Sequence, residues 1–385
     1  MKNYLNKAAG LFFVLCVVFI PFLHKEQQSG ITRFIFLKAV KAIGGLLLEK
    51  PIILADFSSD TRSLLLLLIF LAIISCSAAI FLKKKQNEII WACKTVTLYF
   101  LAYVLLKYGL DKVFCRQFYQ PAPNILYTPF GNLDKDILFW STMGTSPAYS
   151  IITGSFEVLA ALLLLFRRTR TLGLLLALVA LVQILIINFS FDISVKIFSL
   201  LLTAMALYLL APQLKSFYNF LVLQKMTLMP QSFQVNLPVY VKIGLKFFMV
   251  GLILIQVLAA QFPTTTNTPL LLTGAYKVEK YEGKSGTIPL QDAPVKRIFV
   301  HPHGYLVFQT QDDAMADYFM VQGSGKGAVE LLDYSGGRQK ITIGKQGSSI
   351  ILHFANGTVI TASPLPWQKM PALQNQFHFF VDEIR

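Results

Sequence analysis

Long apolar runs separated by short polar breaks fill the first two thirds of the chain, and short alternating runs fill the last third. A bilayer-crossing helix needs about 20 apolar residues. Residues 7–23, 62–82, 91–113, 147–166, 171–190, 194–212 and 242–261 meet or approach that length, so the pattern predicts an all-α membrane bundle of about seven spans. After the first span, Ile31–Leu48 mixes Phe34, Leu37 and Val40 with Arg33, Lys38 and Lys41, which predicts an amphipathic helix lying on the membrane surface. The stretch 114–146 holds Gln117, Tyr119, Pro121, Pro123, Tyr127, Pro129 and Trp140. Aromatic residues just outside a span predict an interfacial belt, or the lid of a cavity.

The period changes beyond the polar segment Pro263–Pro269. Alternating runs at Ala275–Tyr281, Arg297–Val300, Tyr305–Thr310, Asp317–Gln322, Val329–Tyr334, Gln339–Ile343, Ser349–Ala355, Thr358–Ala362 and Phe377–Val381 read as strands. Asn356-Gly357 and Gly336-Gly337 supply turns between them. Strands at this spacing predict an all-β barrel or sandwich of about 115 residues. The expected organisation is a first span with a long loop (1–60), the membrane bundle (61–262), a linker (263–270) and the β domain (271–385).

Composition supports the membrane reading: 55% of the 385 residues are hydrophobic and 14% are charged, where soluble domains carry about 25% charged residues. The net charge of +15 does not indicate a nucleic-acid partner, because residues 270–385 hold 11 Lys/Arg against 10 Asp/Glu. The excess lies in residues 1–269, with 24 Lys/Arg and 10 Asp/Glu. Lys2, Lys7, Lys83, Lys84, Lys85, Lys94, Arg167, Arg168, Arg170, Lys215, Lys225, Lys242 and Lys246 gather at one set of span ends, opposed there by Glu88. Basic residues favour the cytoplasmic side, so the N-terminus is expected inside a bacterial plasma membrane and the β domain outside it. Lys2–Leu23 resembles a signal sequence but lacks a small-x-small cleavage site, and is expected to stay as the first span. Cys16, Cys76, Cys93 and Cys115 form no CxxC pair, so no metal knuckle or redox dithiol is expected. His24, His301, His303, His353 and His378 all lie outside residues 62–261, which excludes a haem held between spans by two His. His301-Pro302-His303 reads as an exposed strand end and not as a metal site.

One carboxylate, Glu157, interrupts the apolar run Gly154–Phe166. A charge at such depth is costly and requires a partner or a task. Tyr99, Tyr103 and Lys107 share one face of the third span at i, i+4, i+8, and Tyr108 with Lys112 forms a second pair. At 1.5 Å per residue, Lys107 lies roughly 10 Å and Glu157 roughly 14 Å below the outer surface, so the geometry allows a Lys107–Glu157 pair. Lys112 and Lys196 are near enough to the surface to snorkel. Gln183 and Asn188 are candidates for hydrogen bonds between helices, and Asp192 lies in the turn before Lys196. Gly154, Ala160 and Ala161 would let helices approach closely. The group reads either as a structural ion pair or as the floor of an outward-opening pocket. Aromatic walls with few polar groups suit an apolar ligand with a polar head, such as a quinone or a lipid. No nucleophile–base pair, metal cluster or phosphate loop is visible, so catalysis by the chain itself is not expected.

Tyr108-Gly109-Leu110-Asp111-Lys112, the Gly154…Glu157 helix ending in Arg167-Arg168-Thr169-Arg170, Thr171-Leu172-Gly173 and Asn188–Lys196 lie within residues 98–210. This stretch resembles the four-helix core of the DoxX-like bacterial membrane proteins. Gly274-Ala275-Tyr276 and Phe377–Glu383 resemble the ends of a lipocalin-like tail, although Tyr276 stands where such domains usually carry Trp. The resemblance implies a plasma-membrane bundle linked to quinone-coupled or envelope redox systems, with an oxidoreductase or envelope protein as partner. Two alternatives remain: a membrane-anchored scaffold acting through the lipocalin-like domain, and a small-solute or proton transporter using Glu157.

Overall fold

The computed structural model describes residues 2–21, 25–47, 54–228, 230, 238–259, 272–283, 294–301, 304–322, 327–334 and 336–374. The chain forms two compact units: Met1–Gln117 with Ala148–Ala259, and Phe118–Pro147 with Ala260–Arg385.

The first unit is a helical bundle of α1 (Lys2–Phe19), α2 (Lys25–Leu47), α3 (Arg62–Phe81) and α4 (Gln86–Val113). The short helices α5 (Pro123–Leu126) and α6 (Lys135–Gly144) belong to the second unit. The bundle resumes with α7 (Pro147–Leu165), α8 (Arg170–Ser190), α9 (Lys196–Leu210), α10 (Leu214–Leu221) and α11 (Val239–Ala259). Among the described residues, Arg62–Phe81, Gln86–Val113, Pro147–Leu165, Arg170–Ser190, Lys196–Leu221 and Val239–Gln256 are long and apolar enough to cross a membrane; α1 is shorter and also apolar. The chain is thus a multi-pass membrane protein, with helices where the seven apolar runs predict them.

Leu64, Leu67 and Leu71 of α3, Leu98, Leu101 and Leu105 of α4, and Leu174, Ala177 and Leu181 of α8 are buried at three- to four-residue spacing. Leu65, Ile69, Ile73, Val179 and Ile186 on the opposite faces are apolar yet exposed. Helices apolar on both sides suit a bundle whose outer faces meet lipid. Basic residues close helix ends, where the last carbonyls lack partners within the helix. Buried Lys7 donates from Nζ to the Leu82 carbonyl after α3 at 2.6 Å, and Arg170 donates from Nε to the Leu164 carbonyl of α7 at 3.3 Å. At the other end of α3, Thr61 Oγ1 accepts from the Leu64 amide at 3.1 Å as its N-cap.

The amphipathic helix expected at Ile31–Leu48 begins earlier, at Lys25. Its buried stripe of Thr32, Phe36 and Val40 turns onto the bundle. The Phe36 ring lies 5.2 Å from that of Phe19 and 6.5 Å from that of Phe70, while Phe34 and Leu46 remain exposed. The i, i+4 spacing of that stripe lets one face pack on protein.

In the second unit, β1 (Gly274–Glu282), β2 (Val295–Val300), β3 (Tyr305–Thr310), β4 (Met315–Gln322), β5 (Ala328–Leu332), β6 (Arg338–Gln346), β7 (Ser349–Phe354) and β8 (Val359–Pro364) pair in chain order, and β1 pairs with β8 to close an antiparallel barrel. The predicted strand Phe377–Val381, the Pro263–Pro269 linker, and Pro302 and His303 lie outside the described residues. Gly347 and Gly357 turn the last hairpins at φ 65° and 88°, a region that costs glycine little. The Asn356 side chain accepts from the Thr358 amide at 3.0 Å in the second of these turns.

Alternate residues point inward: Ile298, Leu306, Phe308, Tyr318, Leu331, Leu352, Phe354 and Ile360 are buried in one cluster. Phe308 packs with Tyr318 and Phe354 at centroid distances of 5.7 and 6.3 Å. An eight-stranded barrel has room either for its own side chains or for one small ligand. Here buried apolar side chains from all eight strands line it.

The aromatic, Pro-rich stretch between α4 and α7 packs against this barrel, where the sequence predicted a belt or a lid. The outer face of β1–β3 carries buried Ala275, Phe299 and Val307, against which Tyr127, Met315, Leu365 and Trp367 pack. Residues 298–300 of β2 and 306–310 of β3 are accordingly buried on both faces.

Candidate functional site

The site grows from the crossing of α4 and α7. Ser150 Oγ donates to the Lys112 carbonyl at 2.7 Å, and Gly154 and Val158 face Gly109. This register runs the two helices antiparallel. A Cβ placed on Gly154 would lie 2.5 Å from the Gly109 carbonyl oxygen, and one on Gly109 would lie 2.9 Å from that of Gly154. Only the absence of both side chains lets the backbones approach this closely.

One turn from each glycine stand Lys112 and Glu157, both buried and paired, with Lys112 Nζ donating to Glu157 Oε1. Side chains lean toward the N-terminus of their own helix. In an antiparallel pair the two therefore lean toward each other across the crossing. The second carboxylate oxygen, Oε2, is buried without a hydrogen-bond partner among the described residues.

The Lys107–Glu157 pair that depth allows is not formed, and Lys112 is buried and does not snorkel. Depth admitted Lys107, but azimuth excludes it: five residues at 3.6 per turn place it about 140° around α4 from Lys112. Lys107 instead pairs with Asp111 at 2.8 Å and lies 5.0 Å from the centre of the Tyr108 ring. Asp111 also pairs with Arg116 at 3.1 Å. The side chains of Lys107, Asp111 and Arg116 are 27%, 12% and 33% exposed, against 5% for each member of the Lys112–Glu157 pair. Below them on the same face, the Tyr103 hydroxyl donates to Gln256 Oε1 of α11 at 3.3 Å, and Tyr99 packs half-buried against the core. The molecule thus carries a closed pair on one face of α4 and a half-open charged triad on another.

The remaining predicted residues do not join this group through any described hydrogen bond or ion pair. Gln183 is exposed on α8, and Asn188 is buried near the end of that helix. Lys196 pairs with Asp192 at 2.6 Å and approaches Asp60 at 4.0 Å. Asp60 accepts from the Lys196 and Ile197 amides at 2.7 and 2.9 Å. A carboxylate at a helix N-terminus satisfies free amides and meets the favourable end of the dipole. Asp192, Lys196 and Asp60 therefore anchor α9.

Sequence reasoning left Asp111, Arg116, Gln256 and Asp60 out of the site. Asp111 had a signal, its i+4 spacing from Lys107. Arg116 lies past the helix end, where no periodicity applies. The described residues contain no group of three or more His, Cys, Asp or Glu placed to hold a metal ion.

In the second unit, buried Gln309 donates from Nε2 to the Tyr127 carbonyl at 3.1 Å and to Asp313 at 2.8 Å, and accepts from Arg297 at 3.1 Å. The Arg297 guanidinium lies 4.6 Å from the centre of the Tyr127 ring, and Lys296 pairs with Asp313. Nearby, the Thr310 hydroxyl donates to Asp312 and holds that carboxyl below its ordinary range. Burial, with the Asp333 charge, pushes the Tyr318 phenol up to about 12.

No family model matches the chain, and no solved structure matches it. Over 111 residues it is 38% identical to the "Uncharacterized protein YwoB" of Bacillus subtilis (strain 168), a match covering 29% of this chain and 70% of that protein. With 38% identity over more than two thirds of that relative, the chain belongs to the YwoB family.

Proposed function

We propose that this protein binds an amphiphile, a quinone or a lipid, at the outer end of α4, as a non-catalytic partner of an envelope redox system in the bacterial plasma membrane. The DoxX-like resemblance of residues 98–210 motivates the redox setting. The observation that carries the binding reading is the triad of Lys107, Asp111 and Arg116, half-open to the surroundings on the same face of α4 as Tyr99 and Tyr103. An aromatic wall under a charged rim suits a ligand with an apolar body and a polar head. The buried Lys112–Glu157 pair holds α4 on α7 and takes no direct part in binding.

In the proposed orientation the N-terminus lies in the cytoplasm and the barrel outside. Clustered Lys and Arg at one set of span ends support it. The loop 118–147 also belongs to the same compact unit as the barrel, and the described helices α7, α8, α9 with α10, and α11 lie between them in the chain. Four crossings return a chain to the face it left, which suits a loop and a barrel on one side.

Retained lipids and quinones in the purified full chain test the reading by mass spectrometry. Lys107→Met and Arg116→Met should each deplete a species that the wild type retains. An unchanged profile in both would refute it. The alternative of a scaffold acting through the barrel draws on one observation, the closed eight-stranded barrel that follows the spans.

A further inference from the structure

Three features of the second unit act together. On the outer face of β1–β3, half-buried Tyr127 packs against Phe299, with ring centroids 5.7 Å apart. Gln309, fully buried, spends a donor on the Tyr127 backbone carbonyl and is itself held by Arg297 and Asp313. A buried amide aimed at a loop carbonyl is specific recognition, since its loss would leave polar atoms unpaired. One residue on, Thr128 Oγ1 lies 3.6 Å from Met315 Sδ.

The loop is itself a packed piece. Phe118, Phe139 and Trp140 stack mutually at centroid distances of 5.5–6.1 Å. Gly144, at the end of α6, rests on the Tyr119 carbonyl so closely that a Cβ there would lie 2.0 Å from its oxygen. Residues near its two ends are thus tied together, and those ends continue directly into α4 and α7. Lys107, Asp111 and Arg116 lie just before it, and Ser150 and Gly154 just after it.

We propose that the outer face of β1–β3 is a clasp for the chain's own loop, and that by gripping residues 123–128 it restrains the adjoining ends of α4 and α7. The barrel then acts on the helical bundle through chain continuity. The clasp operates whatever binds at Lys107.

Native Cys115, half-buried three residues before the loop, is a built-in reporter. The test uses the full chain in nanodiscs with exposed Cys76 changed to Ser, and follows labelling of Cys115 by a soluble maleimide. A second chain with Cys76→Ser, Cys115→Ser and Thr128→Cys reports loop release directly. The clasp is opened from the barrel side by Arg297→Ala with Gln309→Ala, and from the loop side by Tyr127→Ala, which leaves the barrel sequence intact. Both openings should speed labelling at position 128 and at Cys115 by about tenfold, the change that loss of one buried charge-assisted hydrogen-bond node converts to. Faster labelling at position 128 with Cys115 unchanged would overturn the restraint on α4. Unchanged labelling at both would overturn the clasp.

Discussion

Lys112 and Glu157 hold each other because neither has water to turn to. Taking two charges into a low-dielectric interior is costly, and removing one leaves the other uncompensated. Glu157→Gln or Lys112→Met alone should therefore destabilise the bundle by about 3–5 kcal/mol, seen as a lower midpoint of thermal unfolding in detergent. Replacing both with Met should cost less than either single change, because the pair and its penalty vanish together. Equal, additive losses would show that the two residues act separately. At Lys107, by contrast, Lys107→Met should cost the fold less, since Asp111 keeps Arg116 as a partner at 3.1 Å. One lysine is thus read by stability and the other by binding.

Among elements, the close approach of α4 and α7 requires the two glycines, Gly109 and Gly154. Gly154→Ala should separate the helices, because a methyl group cannot share space with the Gly109 carbonyl oxygen. A cost of about 1–3 kcal/mol is expected from such overpacking. The same variant should also expose Lys112, measurable as faster reaction of its amine with an acylating reagent. In the barrel, Phe308→Ala removes a fully buried ring and should cost about 3–5 kcal/mol in barrel unfolding. The elements were the legible part of this chain. Helix positions followed from 20-residue apolar runs, and β1–β8 from two-residue alternation. The partner of Glu157 was not legible, because depth along a helix is readable from spacing while the direction a helix faces depends on its neighbours. Lys107 and Lys112 are both deep enough; only the Gly109–Gly154 contact selects between them.

At the scale of the whole molecule, the chain joins a membrane bundle to a barrel that its own loop helps to cover. That docking left no trace in the sequence, because Tyr127 and Gln309 meet across a separation of 182 residues. Ala275, Phe299 and Val307 would lose the Tyr127 part of their cover on a barrel expressed alone. Residues 272–374 by themselves should therefore self-associate in solution, and addition of a peptide spanning 118–147 should reduce that association in a sedimentation experiment. Which charged group on α4 meets a ligand is decided most directly by lipid and quinone profiling of the purified chain, with Lys107→Met compared against the Lys112→Met/Glu157→Met double variant. Loss of a retained amphiphile from the first and its retention by the second is the predicted result; loss from the double variant alone would place the ligand at the buried pair and contradict binding at Lys107.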